Sequence, residues 1–114
     1  MDSHPKIEVL IARGNARHPS LLQVLYGIEE EQVPVSITET DGESVEKMAY
    51  EAAERSKLEV GIGMDAAGNF ALHHKKLEIH SPYIRLPKRS SDERARIFGN
   101  NSARLVKRMP LRHE

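Results

Sequence analysis

Two strand-like runs, residues 59–64 (Glu-Val-Gly-Ile-Gly-Met) and residues 69–73 (Asn-Phe-Ala-Leu-His), are separated only by Asp65-Ala66-Ala67-Gly68. Four residues suffice for a tight turn but are too few for a crossover, so these runs pair antiparallel as a hairpin. Upstream, short apolar runs alternate with helix-length segments, the pattern of parallel strands joined by helical crossovers. The chain must therefore fit one antiparallel strand into a mostly parallel sheet.

The remaining elements follow from periodicity and punctuation. Residues 6–12 (Lys-Ile-Glu-Val-Leu-Ile-Ala) read as a buried strand that Arg13-Gly14-Asn15 breaks. Pro19 suits the first turn of a helix, where its missing N–H is no loss, and Leu21, Leu22, Leu25 and Ile28 recur at helical spacing. Glu29-Glu30-Glu31 follows at the end of that helix. Carboxylates there oppose the helix dipole at about a few tenths of a kcal/mol each, so something other than helix stability is expected to keep them.

Residues 34–39 alternate as a second strand, and Thr40 and Glu43 have capping-box spacing. Val45, Met48, Ala49, Ala52 and Ala53 then mark an amphipathic helix whose alanines suit close packing on a sheet. Residues 82–86 give a fifth strand. Ser90 and Glu93 offer a second capping box before a helix carrying Ala95, Phe98, Leu105, Val106 and Met109 on one face, with Gly99-Asn100-Asn101 a weak spot where it bends or breaks. The order β-α-β-α-β-β-β-α predicts an α/β sandwich, one domain over residues 1–114.

Charge narrows the function. Seventeen basic residues balance 17 acidic ones, which argues against a generic nucleic-acid binder. The balance is global but not local: the acidic run lies in the first third, while Lys88, Arg89, Arg94, Arg96, Arg104, Lys107, Arg108 and Arg112 crowd the last quarter. Either these are solvated faces, or each meets an oppositely charged partner. The absence of cysteine excludes disulfide and thiolate chemistry. No apolar stretch approaches the roughly 20 residues of a membrane span, and Met1-Asp2-Ser3-His4-Pro5 lacks a signal-peptide layout. A soluble cytoplasmic protein is expected.

The motifs that resemble chemistry dissolve on inspection. Gly61-Ile62-Gly63 with Gly68 lacks the dinucleotide fingerprint's spacing and the helix that must follow it; close backbone approach in a central strand explains the glycines better. There is no phosphate-loop motif, so ATP binding by this chain alone is not expected. His73 and His74 point to opposite faces of a strand, and neither they nor His18 and His80 have metal-site spacing. No serine sits in a nucleophile elbow. The three glutamates fan out by about 100° each on a helix and do not converge on a substrate. One of them remains available to a partner protein, or to a divalent metal held mainly by that partner.

Four stretches together carry a resemblance: Leu25-Tyr26-Gly27-Ile28-Glu29-Glu30-Glu31-Gln32-Val33-Pro34, Val60-Gly61-Ile62-Gly63-Met64-Asp65-Ala66-Ala67-Gly68, Ala71-Leu72-His73-His74, and Phe98-Gly99-Asn100-Asn101-Ser102-Ala103-Arg104-Leu105-Val106-Lys107. In this order and spacing, over about residues 6–111, the chain resembles the small subunit of diol and glycerol dehydratase reactivating factors. The resemblance implies three α/β/α layers around a mixed five-stranded sheet, order 21345, strand 4 antiparallel, similar to anticodon-binding domains. It also implies a non-catalytic part of a chaperone-like factor, built with large subunits (two of each) that carry ATP or ADP and Mg²⁺. By the resemblance, the factor frees damaged cobalamin from an inactivated adenosylcobalamin-dependent dehydratase by swapping subunits with it. By the resemblance the chain itself holds no cofactor, works in the cytoplasm or in association with a bacterial microcompartment, and can form a homo-oligomer when alone.

For the site, the resemblance places the family's Glu-Glu pair on Glu29 and Glu30, with Glu30 at the large-subunit interface near a divalent cation. Glu31-Gln32 stands where Gln-Gly is commoner, which leaves room for a one-residue shift to Glu31. Two other functions compete. The medium subunit of a dehydratase usually has a longer N-terminal extension, whereas here the first strand begins almost at once. A free-standing small-molecule binder would use the strand ends near Gly14 and Asp65.

Overall fold

Eight elements follow one another as β1 (Ile7–Ala12), α1 (Pro19–Glu30), β2 (Val35–Thr40), α2 (Val45–Arg55), β3 (Val60–Met64), β4 (Phe70–His74), β5 (Ile84–Leu86) and α3 (Asp92–Lys107). The structure, a computed structural model, describes residues 4–42 and 44–113. The strands form one sheet in the order β2-β1-β3-β4-β5. β1 runs parallel to both β2 and β3, while β4 is antiparallel to β3 and β5. The hairpin expected from the sequence supplies that reversed strand. Asp65 closes its turn by accepting from the N–H groups of Ala67 (3.0 Å) and Asn69 (2.9 Å), and Gly68 takes the positive φ of 95° that the turn requires.

Strand alternation divides the interior into two unlike layers. Ile7, Val9 and Ile11 of β1, Val60, Ile62 and Met64 of β3, and Phe70 and Leu72 of β4 pack with Leu21, Val24 and Ile28 of α1 and Ala95, Phe98 and Ala103 of α3. The opposite face, under α2, is built from small residues. A Cβ at Gly61 would overlap the backbone of Ala52 and Ala53, and one at Gly63 would lie 2.6 Å from the Ala49 nitrogen. The glycines of the G-x-G run thus let α2 rest its backbone on the central strand. Beside them Leu10, Met48 and Ala52 form a minor core.

Several boundaries differ from expectation, each for a local reason. α2 is capped by Ser44, whose hydroxyl accepts from the Lys47 N–H at 3.3 Å. Thr40 is the last residue of β2, and its supposed box partner Glu43 lies outside the described residues. α3 is capped by Ser91, because the Ser90 hydroxyl donates instead to the Pro87 carbonyl at 2.6 Å. In α1 the buried face is Leu21, Val24, Gly27 and Ile28; Leu22 is 41% exposed. Met109 lies beyond the end of α3 and is exposed.

The expected weak spot at Gly99 is no break. α3 runs through it unbroken, with Gly99, Asn100 and Asn101 all buried. A Cβ at Gly99 would overlap the Val24 carbonyl, and one at Gly27 the Arg96 carbonyl. The two helices touch backbone to backbone, and that packing offsets the roughly 1 kcal/mol that a helical glycine costs.

Substitution Gly61→Val forces α2 off the sheet and is expected to destabilise the fold by about 3 kcal/mol or more. Gly14→Ala meets no neighbour within 4 Å and should cost only about 1 kcal/mol, from its positive φ. Urea denaturation of the two variants checks the contrast.

Candidate functional site

The acidic run and the basic cluster, far apart in sequence, meet where the C-terminal turn of α1 lies along α3. The Glu31 carboxylate accepts from Arg104 Nε at 3.0 Å and Lys107 Nζ at 2.9 Å, and Lys107 also donates to the Glu31 carbonyl at 3.0 Å. Glu30 Oε1 accepts from Asn100 Nδ2 at 3.3 Å, and its Oε2 lies 3.6 Å from Arg96 Nη1. The two patches are therefore neither separate solvated faces nor wholly reserved for a partner, since part of each neutralises the other. Cations from α3 thus answer two of the three carboxylates at this helix C-terminus, Glu30 and Glu31, and with them the dipole.

The same contact caps α1 in part: Gly27 O accepts from Asn100 Nδ2 at 2.7 Å, while the chain's own next turn serves the following carbonyls, Ile28 O accepting from the Glu31 N–H and Glu29 O from the Gln32 N–H. Gln32 sits just past the helix with φ 61°, the left-handed conformation in which glycine is favoured.

The three glutamates differ sharply in availability. Glu31 is 13% exposed at its side chain, and Lys107, then Arg104, hold its carboxyl below the usual range against the opposing effect of burial. Glu30 is half exposed, at 51%. Glu29 is exposed and borders a groove of about 410 Å³ lined also by Leu25, Ile28, Val33 and Pro34. Leu22 and Tyr26 continue this outer face of α1, with the Arg96 guanidinium 5.6 Å above the Tyr26 ring. The sequence reading grouped Leu22 with Leu21, Leu25 and Ile28 by helical spacing and missed this face. The available signal was that Leu21, Leu22, Val24, Leu25, Tyr26 and Ile28 span too wide an arc for one buried stripe.

The other candidates fall to structural roles. The strand ends near Gly14 and Asp65 are occupied by the chain's own contacts: Asn15 Nδ2 donates to Asp65 O at 2.9 Å, the Gly14 N–H to Glu39 at 3.2 Å, and Arg13 pairs with Asp41. His73 is fully buried, its ring nitrogens facing the carbonyls of His74 and Ile79 at 3.0 and 3.1 Å and its edge packed against Tyr50. His74 accepts from the Lys76 N–H, and His18 caps α1 through the Ser20 N–H. Among the described residues no three His, Asp or Glu side chains come together to hold a metal, and no helix is long and apolar enough to cross a membrane.

The family model described as dehydratase medium subunit matches residues 4–112. The chain belongs to that family. Its relatives include the propanediol dehydratase-reactivating factor small subunits of Citrobacter freundii, 40% identical over 78% of this chain and 76% of the relative, and of Salmonella typhimurium, 37% identical over 79% and 77%. Among solved structures, a glycerol dehydratase reactivase superposes on this member of the dehydratase medium subunit family with a TM-score of 0.91 at 30% identity, covering 96% of this chain and 98% of the other. The diol dehydratase-reactivating factor complexed with ADP and Mg²⁺ contains a chain that matches at TM-score 0.90 and 34% identity, covering 97% and 100%. The mixed sheet of order 21345 expected from the resemblance is thus the fold observed in this family member.

Two outcomes test the energetics. The Glu31 carboxyl lies below its ordinary value of 4.5 when folded, so its ion pairs stabilise above that value and are lost as pH falls through the lowered one. Glu31→Gln should cost about 1–2 kcal/mol at neutral pH, and its deficit against wild type should vanish on acidification. Gln32→Gly relieves a left-handed residue and should add about 0.5–1 kcal/mol. Thermal unfolding across pH reads both.

Proposed function

We propose that this chain is the small, non-catalytic subunit of a chaperone-like reactivating factor that serves an adenosylcobalamin-dependent diol or glycerol dehydratase. The observation that carries the reading is the end-to-end match, at 34% identity and TM-score 0.90, to a chain of the diol dehydratase-reactivating factor. In this reading the chain assembles with a large subunit, two of each, and the large subunit holds the ADP or ATP and the Mg²⁺. When the factor meets an inactivated dehydratase, the small subunit gives way to a dehydratase subunit of similar fold, and damaged cobalamin is released. ATP then restores the original pairing. We place this cycle in the cytoplasm, in or beside a bacterial microcompartment.

Within this reading the outer face of α1 around Glu29 and Glu30 receives the large subunit. Glu31 is already engaged by Arg104 and Lys107, whereas Glu30 remains half exposed. The left-handed backbone of Gln32 supports aligning it with the family's glycine, so Glu29 and Glu30 match the family pair without a shift. A single half-exposed carboxylate suits a divalent cation shared between subunits, with the other ligands supplied by the partner. The family's own description favours a second reading, the medium subunit of a dehydratase.

Recovery of a glycerol-inactivated dehydratase, given ATP, Mg²⁺, fresh adenosylcobalamin and the large subunit, is expected to require this chain. Recovery without it, together with co-purification with dehydratase catalytic subunits, would favour the medium-subunit reading. Glu30→Ala should weaken association with the large subunit roughly tenfold or more while shifting the melting temperature of the isolated chain by only about 2 °C. Titration calorimetry and thermal unfolding measure the two.

A further inference from the structure

Asn100 sits inside the α1–α3 contact, 2% exposed, with every polar atom of its side chain engaged. One amide N–H goes to the Gly27 carbonyl at 2.7 Å and Nδ2 also reaches Glu30 Oε1 at 3.3 Å, while its Oδ1 accepts from Arg112 Nη1 at 2.6 Å. The orientation of this amide is fixed by its neighbours. A carbonyl only accepts and a guanidinium only donates, so nitrogen must face α1 and oxygen must face Arg112. Nδ2 carries two protons, and with one committed to Gly27 the other is aimed at the Glu30 carboxylate.

We propose that Asn100 is a positioning residue that holds the Glu30 carboxylate in the orientation in which it meets the large subunit. The inference deepens the reading of Glu30 as the partner contact and rests on it. A glutamate on an exposed helix turn samples several rotamers, and ordering it on binding costs about 0.5–1.5 kcal/mol. A buried donor that is itself locked by a backbone carbonyl removes part of that cost in advance. Arg96, 3.6 Å from the other oxygen of Glu30 and bonded to Gln23 at 2.9 Å, flanks the carboxylate from the same helix. The buried Gly99-Asn100 pair then has one joint role, the glycine bringing the helices into contact and the asparagine using that contact to aim the glutamate.

A double-mutant cycle tests the proposal, with affinity for the large subunit in Mg²⁺ as the readout and thermal unfolding of each isolated variant as the folding control. Asn100→Ala is expected to weaken binding roughly fivefold to tenfold in the wild-type background and less than twofold in the Glu30→Ala background. Equal weakening in both backgrounds overturns the proposal, because Asn100 would then act on the fold and not through Glu30. If Glu30→Ala alone leaves affinity unchanged, the partner-contact reading fails and takes this inference with it; the single variant thus separates the two failures. Should the alanine variant prove too unstable, Asn100→Asp keeps the size and the acceptor for Arg112 but removes the donor. It should show the same dependence on Glu30, and its absence overturns the proposal equally.

Discussion

The backbone contact between α1 and α3 at Gly27 and Gly99 is the constraint on which the whole acidic turn at the end of α1 depends. Neither position has room for a Cβ, because each glycine faces a carbonyl of the other helix. At that separation a side chain as short as Asn100 bridges from one helix to the carbonyl of the other. The same closeness brings Arg96, Arg104 and Lys107 alongside the acidic turn. Were the helices held apart by ordinary side chains, at the usual 8–10 Å between axes, the carboxylates would face the helix dipole uncompensated.

Much of the architecture was legible in the sequence because it follows from length and periodicity. The short connection between β3 and β4, residues 65–69, dictated the antiparallel strand, and the alanines of α2 announced a close approach to a sheet whose glycines match it. Less legible were features that exist only once distant residues meet. Glu31 and Lys107 are 76 positions apart, and no local pattern pairs them. Gly99-Asn100-Asn101 looked like a flaw in a helix because propensity scores a residue alone, whereas its value here lies in a neighbouring helix. Leu22 was grouped with Leu21, Leu25 and Ile28 because helical spacing alone does not count how many positions one helix face can bury.

The candidate site was legible as a location but not as a division of labour. The run Glu29-Glu30-Glu31 stood out by charge, yet its members have three fates: one open beside an apolar groove, one half held by an amide, one engaged by two cations. Adjacent residues on a helix project about 100° apart, so the geometry of α3 rather than the run itself decides which glutamate is free to meet another molecule. Asn101 extends the same logic to the chain's last described residues. Its amide brackets the backbone of Arg112, accepting from its N–H at 2.6 Å and donating to its carbonyl at 3.0 Å, which carries the Arg112 guanidinium to Asn100.

The contrast between the two sides of the sheet has a consequence for where the folded protein retains freedom. Under α2 the contact residues are largely Gly61, Gly63, Ala49, Ala52 and Ala53, which have no side-chain rotamers to lose or to exchange. The opposite layer is filled by isoleucine, leucine, methionine and phenylalanine, and beyond it lie the long charged side chains of α1 and α3. Side-chain conformational entropy is therefore lost unequally in the two contact layers: the seam under α2 gives up little on packing, whereas the opposite layer must order its branched and aromatic side chains. The seam under α2 behaves as a fixed plate, whereas the seam beneath α1 and α3 is assembled by selecting among rotamers.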